Sequence, residues 1–146
     1  MKIIVTEKWY SIQECLNNPK NLYIFGDNTK HYGNGGQAQI RGCLNTFGIP
    51  TKRLPTMMDE AFFDDNNTMD IYEMIRSLSI LENYLKSDNY KDYTFVFPKD
   101  GLGTGLAQLK LKAPAISKML SDILEEKFRI ITLEDGSLKM KDNNYE

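Results

Sequence analysis

Lys52 carries the clearest chemical rationale in the sequence. A lysine amine is a competent nucleophile once its pKa falls, and burial or a neighbouring cation such as Arg53 lowers it. Asp100 is placed to accept a proton or to hold Lys52 by an ion pair, with a solvated aspartate beside a turn as the alternative. Asp27 offers a carboxylate to orient a hydroxyl or a water, or to form an Asx-turn after a strand. His31, the sole histidine, lies in a glycine loop and reads either as an acid–base group near pH 7 or as a solvated loop residue. Two glycine-rich segments accompany these groups, FGDNTKHYGNGGQ at 25–37 and FPKDGLGTG at 97–105. In the first, Gly33, Gly35 and Gly36 permit positive φ and a close backbone approach to a ligand. Free amides at the start of the following helix would suit a diphosphate.

Other chemistries are excluded or disfavoured. One histidine and two distant cysteines, Cys15 and Cys43, cannot assemble a zinc site of usual spacing. The acidic run at 59–65 lacks the alternation of a calcium loop and reads as a solvated loop able to act as a lid. No P-loop motif, Gly-x-Ser-x-Gly elbow or Cys/His pair is present. Neither a metal nor a cofactor is expected.

The elements that must position these residues alternate between strand and helix. Residues 1–5 read as a short strand. Ser11 and Glu14 form a capping-box pattern opening a short helix that Asn17, Asn18 and Pro19 close. Residues 22–25 are apolar throughout and read as a strand buried on both faces. A loop over 26–36 and a helical stretch over about 36–45 follow, then an extended piece at 48–51 and a polar loop at 62–67. Thr68 is expected to cap a long helix whose Ile71, Ile75, Leu78, Leu81 and Leu85 make one buried face. Residues 93–97 form a third strand, ended by Pro98. A helix from near Pro114 turns Ile116, Met119, Leu120 and Ile123 inward. Residues 128–133 make a fourth strand, and the Asp135-Gly136 hairpin signal returns 137–140 as an edge strand. This alternation implies a largely parallel sheet covered on both faces, with ligands bound outside the strand carboxyl ends. Both glycine loops follow strands and fall at that edge.

Three segments together resemble the macrodomain superfamily. Asn28, then six residues, then Gly35 and Gly36, has the spacing of its first loop. The 97–105 segment is similar to its second loop. IPTKR at 49–53 resembles the branch containing the terminal ADP-ribose glycohydrolases and the DarG antitoxin macrodomains, which remove ADP-ribose from protein or from thymidine in DNA. The resemblance covers roughly residues 20 to 133. It implies a macrodomain-like three-layer α/β/α sandwich with a mixed, mainly parallel sheet. It also implies that Asn28 orients the distal ribose and that Lys52 acts on its anomeric carbon. Asp100 joins them as the third catalytic candidate. Gly35, Gly36, Gly101, Gly103, Thr104 and Gly105 would hold the diphosphate. The ligand-binding set is completed by Asp27, Gly33, Gln37, Thr51, Arg53, Leu102 and Leu106. Gln37 and Arg41 stand where the family usually keeps small or apolar residues. The early aspartate that takes the adenine amino group is absent from the 6–10 stretch, where Trp9 or Tyr10 is the candidate to stack on a base. The carboxylate that protein glycohydrolases carry after the second loop is missing too.

The expected function is an ADP-ribosyl glycohydrolase acting on a modified nucleobase or protein. The alternative is a non-catalytic binder of ADP-ribose or a cyclic ADP-ribose-type nucleotide. Analogy with the branch suggests a toxin-countering or phage counter-defence setting. At 146 residues, 41% hydrophobic and 26% charged, the chain fits a single domain over 1–140 with a polar tail at 141–146. A net charge of −2 gives no sequence-wide basic field for nucleic acid. Two cysteines, no signal segment and no long apolar run lead to the expectation of a cytoplasmic monomer without a membrane partner.

Overall fold

Four apolar runs become the strands β1 (Lys2–Thr6), β2 (Asn21–Asn28), β3 (Thr46–Lys52) and β4 (Thr94–Pro98) of a sheet ordered β1-β4-β2-β3. The computed structural model describes residues 2–141. Every pairing in this sheet is parallel, with Lys2 opposite Thr94 and Tyr23 opposite Thr46. Parallel neighbours require crossovers. Helix α1 (Ile12–Asn17) links β1 to β2, a five-residue 3₁₀ turn (Gly36–Ile40) lies between β2 and β3, and α2 (Thr68–Lys86) links β3 to β4. The short α3 (Leu109–Lys112) and the longer α4 (Pro114–Phe128) follow.

Period-two alternation explains why residues 22–25 of β2 are all apolar. Leu22 and Ile24 face one core with Phe95 and Phe97, against Met74, Leu78 and Leu81 of α2 and Ile116, Leu120 and Leu124 of α4. Tyr23 and Phe25 face the opposite core with Tyr10, Cys15, Val96 and Ile40. Helical layers therefore cover both faces of the sheet. Burial, then the neighbouring Cys43, push the Cys15 thiol up to about 12. Both cysteines are free.

Several boundaries differ from the sequence reading for local reasons. Ser11 caps α1 by accepting from the Glu14 amide, but the Glu14 carboxylate turns to Asn18 and Tyr23. Asn67, not Thr68, caps α2, accepting from the Met69 and Asp70 amides at 2.9 and 3.1 Å. The buried face of α2 centres on Met74, Leu78 and Leu81, so Ile75 lies off the stripe and is 43% exposed. In α4 Met119 and Ile123 are half-buried, and Leu124 and Phe128 complete the buried face. The helix expected over 36–45 stops at Ile40, and Asn45 donates to the carbonyls of Cys15, Asn18 and Asn21. Strand β2 runs three residues beyond Phe25, because Gly26 to Asn28 continue the ladder with β3.

Phe128 stays helical and Arg129 leaves the helix at φ 58°, so the next strand, β5 (Ile130–Thr132), is short. It pairs antiparallel with β6 (Leu138–Met140) around Asp135 and Gly136. These two strands form their own ladder, so the antiparallel component lies beside the parallel sheet, not within it. Leu138 ties the hairpin to the tip of β4 by donating to the Lys99 carbonyl. Apart from Lys141, the tail lies outside the described residues. Among those residues no helix is long and apolar enough to cross a membrane.

Candidate functional site

The strand order sets β1, β4, β2 and β3 side by side, and their carboxyl ends open into a cleft of about 480 Å³. Asp27, Asn28, Gly33, Gly35, Gly36 and Gln37 line it from the first loop. Thr51 and Lys52 line it from β3. Asp100, Gly101, Gly103, Thr104, Gly105 and Leu106 line it from the second. A ligand-sized cleft at this edge is where α/β sheets generally bind.

Two glycines explain how tightly the second loop is set. Gly101 and Gly103 have φ of 93° and 74°, and a Cβ on Gly103 would sit 3.0 Å from the Thr51 Cβ. In the first loop Gly33 and Gly36 have positive φ, whereas Gly35 is extended at −83°. The element after Gly35 is a 3₁₀ turn of five residues, so an anion there would meet loop amides, not a long helix dipole.

Gln37 joins the loops. Its Oε1 accepts from the Gly26 amide at 2.9 Å, and its Nε2 donates to the Gly101 carbonyl at 2.8 Å. A small or apolar residue could make neither bond, which accounts for glutamine at this position.

Asp27 braces the first loop. Its buried carboxylate takes Arg41 at 2.7 Å, His31 at 2.8 Å and the Asn28 amide at 2.7 Å. Arg41 reaches on to the carbonyls of Gly33 and Tyr32 and lies over the Phe25 ring. The Asn28 Oδ1 accepts from the Lys30 and Tyr32 amides, and its Nδ2 donates to the Tyr32 carbonyl. Asp27 is thus both a local turn former and one half of a buried ion pair.

Lys52 ends β3 with only 8% exposure. Its Nζ lies 3.6 Å from the Met57 sulfur and 4.9 Å from the Phe62 ring centre. No carboxylate pairs with it among the described residues, and burial holds its pKa below the ordinary lysine value. The expected influence of Arg53 is not the cause. Arg53 turns away to Asp70, donating from Nε and Nη2 at 2.7–3.1 Å, and to the Glu60 carbonyl.

Arg53 and Leu102 are absent from the cleft wall. Leu102 is buried in the core against α4, because its side chain faces away from the loop's ligand side. Asp100 does line the cleft, but at the tip of β4. Two strand spacings, about 10 Å, separate that tip from β3, and no ion pair joins Asp100 to Lys52 among the described residues. Tyr10 is buried, its hydroxyl donating to Ile24 and Val96, and is closed to a base. Trp9 is 61% exposed and does line the cleft.

Tyr32, Ala38, Arg41 and Pro55 also line the cleft and were not legible as site residues. In the sequence Arg41 stands out only as a polar residue in place of a small one. The acidic 59–65 loop places Asp59 to Ala61 in a 3₁₀ turn, pairs Phe62 with Lys52 and lets the Asp65 carboxylate cap α4 through the Ala115 and Ile116 amides. No group of three or more metal-ligating side chains occurs among the described residues.

Residues 5–123 match a family described as a family of unknown function, DUF7831. The chain belongs to the DUF7831 family. No curated protein and no solved structure matches it. In this DUF7831 member the arrangement offers a shielded amine at one end of the cleft, two glycine loops across its middle, and an exposed indole at the other end.

Proposed function

We propose that this cleft binds ADP-ribose and that the protein is a macrodomain-like ADP-ribosyl glycohydrolase, releasing ADP-ribose from a modified nucleobase in DNA or from protein. The observation that carries the reading is Lys52, a buried amine on the cleft wall whose pKa is lowered by burial. The parallel sheet between helical layers and the two glycine loops linked through Gln37 support it. The diphosphate lies against the loop amides. The Lys52 Nζ bonds to the anomeric carbon of the distal ribose as the bond to the modified group breaks, and that group leaves with the electron pair and takes the proton that Nζ gives up. Water then bonds to the same carbon, the C–N bond breaks, and Nζ recovers a proton from the water. Asn28 shapes the first loop and retains one Nδ2 hydrogen for a ribose hydroxyl.

A second reading, a non-catalytic binder, draws on the absence of a carboxylate paired with Lys52 among the described residues. Calorimetry with ADP-ribose and turnover of ADP-ribosylated DNA and protein, on the wild type and Lys52→Ala, separate the two. The hydrolase reading expects micromolar binding by both proteins and turnover by the wild type alone. Binding by both without turnover selects the binder. No binding by either overturns the ADP-ribose assignment.

A further inference from the structure

We propose that Met57 is an oxidation site that governs the Lys52 amine: a peroxide that turns its thioether into a sulfoxide sets a strong hydrogen-bond acceptor against Nζ and holds the amine as an ammonium ion. The effect on the amine stands by itself, and the effect on turnover rests on the glycohydrolase reading. Lys52 and Phe62 form an isolated antiparallel bridge, and the Arg53 amide donates to the Ala61 carbonyl at 2.7 Å. These contacts close residues 53–61 into a loop on the end of β3. Inside it the Ala61 amide donates to the Met58 carbonyl, and the Met58 amide to the Thr56 hydroxyl, which fixes the turn that carries Met57. The loop lays the Met57 sulfur 3.6 Å from the Lys52 Nζ, which donates to it, with the Phe62 ring centre 4.9 Å from the same atom.

Among the described residues that sulfur is the only hydrogen-bond acceptor at Nζ. A thioether accepts weakly, so it covers the amine without stabilising its charge. The charged groups on the surrounding segments do not replace it. Asp27 is committed to Arg41 and His31, and Arg53 to Asp70. Asp59, Glu60 and Asp100 form no ion pair with Lys52 among the described residues. The cations on the packed segments are Lys30, after β2, and Lys112 of α3, whose Nζ lies 4.7 Å from the same ring. Met57 is 50% exposed and does not line the cleft. A peroxide therefore reaches the sulfur, and the oxygen it adds changes the amine, not the space for a ligand. With hydrogen peroxide, a sulfur lone pair bonds to one oxygen as the O–O bond breaks. Sulfur is oxidised, and the other oxygen leaves as hydroxide and becomes water with the proton of the transferred oxygen. A hydrogen bond from the ammonium to the sulfoxide oxygen favours the charged form. An ammonium ion has no lone pair to offer a carbon.

The experiment treats the wild type, Met57→Leu, Met57→Gln and Met58→Leu with hydrogen peroxide. Peptide mass spectrometry follows the oxygen on each methionine and the acetylation of Lys52 by acetic anhydride, which reacts with neutral amines. Turnover of ADP-ribosylated DNA and protein is read in parallel, and thermal melting checks that each variant folds. Once Met57 carries its oxygen, Lys52 acetylation and turnover should each fall roughly threefold or more, the size of one net hydrogen bond. Methionine sulfoxide reductases with dithiothreitol should restore both. Met58→Leu should respond as the wild type does. Met57→Leu, which keeps every other oxidisable side chain, should lose the response. Met57→Gln, whose amide carbonyl stands in for the sulfoxide, should show the low acetylation before any peroxide. Unchanged Lys52 acetylation with Met57 oxidised overturns the proposal. So does a Met57 that stays unoxidised while the exposed Met58 and Met69 take up oxygen. The expected fall in acetylation, in a protein whose untreated form turns over neither substrate, overturns the glycohydrolase reading and leaves the Met57 assignment standing.

Discussion

Replacing Arg53 by alanine should unfold the protein more readily while leaving ligand affinity nearly intact. The Asp70 carboxylate is buried, at 3% side-chain exposure, and receives Arg53 at 2.7, 2.9 and 3.1 Å. After Arg53→Ala its remaining partner is the Asp64 amide. The Glu60 carbonyl loses its guanidinium as well. Removing one member of a buried pair costs about 3–5 kcal/mol. The Arg53 side chain is 29% exposed, and solvent screening lowers the figure to about 2–4 kcal/mol. That is a large share of a total stability on the order of 5–15 kcal/mol. In a melting experiment it corresponds to a fall of roughly 5–15 °C. The double variant Arg53→Met/Asp70→Asn should recover at least half of the loss, since asparagine still accepts from the Asp64 amide but buries no charge. ADP-ribose affinity of folded Arg53→Ala should stay within about threefold, because Arg53 does not line the cleft. An unchanged melting temperature together with a tenfold or greater loss of affinity would refute this reasoning and return Arg53 to the ligand site.

Gln37→Leu preserves bulk but leaves the Gly26 amide and Gly101 carbonyl without their side-chain partner, so urea denaturation should show a loss of about 2 kcal/mol. Calorimetry should show weaker ADP-ribose binding as the two loops separate. Lys52→Met should act in the opposite direction. Burial lowers the Lys52 pKa in the fold, so below that value the folded state carries the full penalty of a charged amine. Between it and the ordinary 10.5 the unfolded chain binds more protons, and stability rises with pH. Lys52→Met removes the penalty, with an expected gain of about 1 kcal/mol at pH 7 and a flatter alkaline rise, read from urea midpoints at pH 7 and 10. Turnover by the wild type should climb with pH, with a midpoint below 10.5.

The sequence by itself determined the alternation of strands and helices, because apolar periodicity and capping chemistry act over a few residues. Ser11, Pro114 and the Asp135-Gly136 turn each open or close an element where expected. It also placed both glycine loops after strands, and a parallel sheet then brings them to one edge. The tertiary structure alone decided the partners of long side chains. Arg53 lies one residue from Lys52 but just past the end of β3, where the chain bends, and its side chain reaches Asp70 on α2 while Lys52 lines the cleft. Arg41 reaches Asp27 across fourteen positions because the loop between them folds back over its own strand. Gln37 spans to Gly101, sixty-four positions away, only because β2 and β4 are neighbours. The strand order β1-β4-β2-β3 is likewise invisible in local pattern, since it depends on which crossover packs beside which. That order sets Trp9 at one end of the cleft and Lys52 at the other.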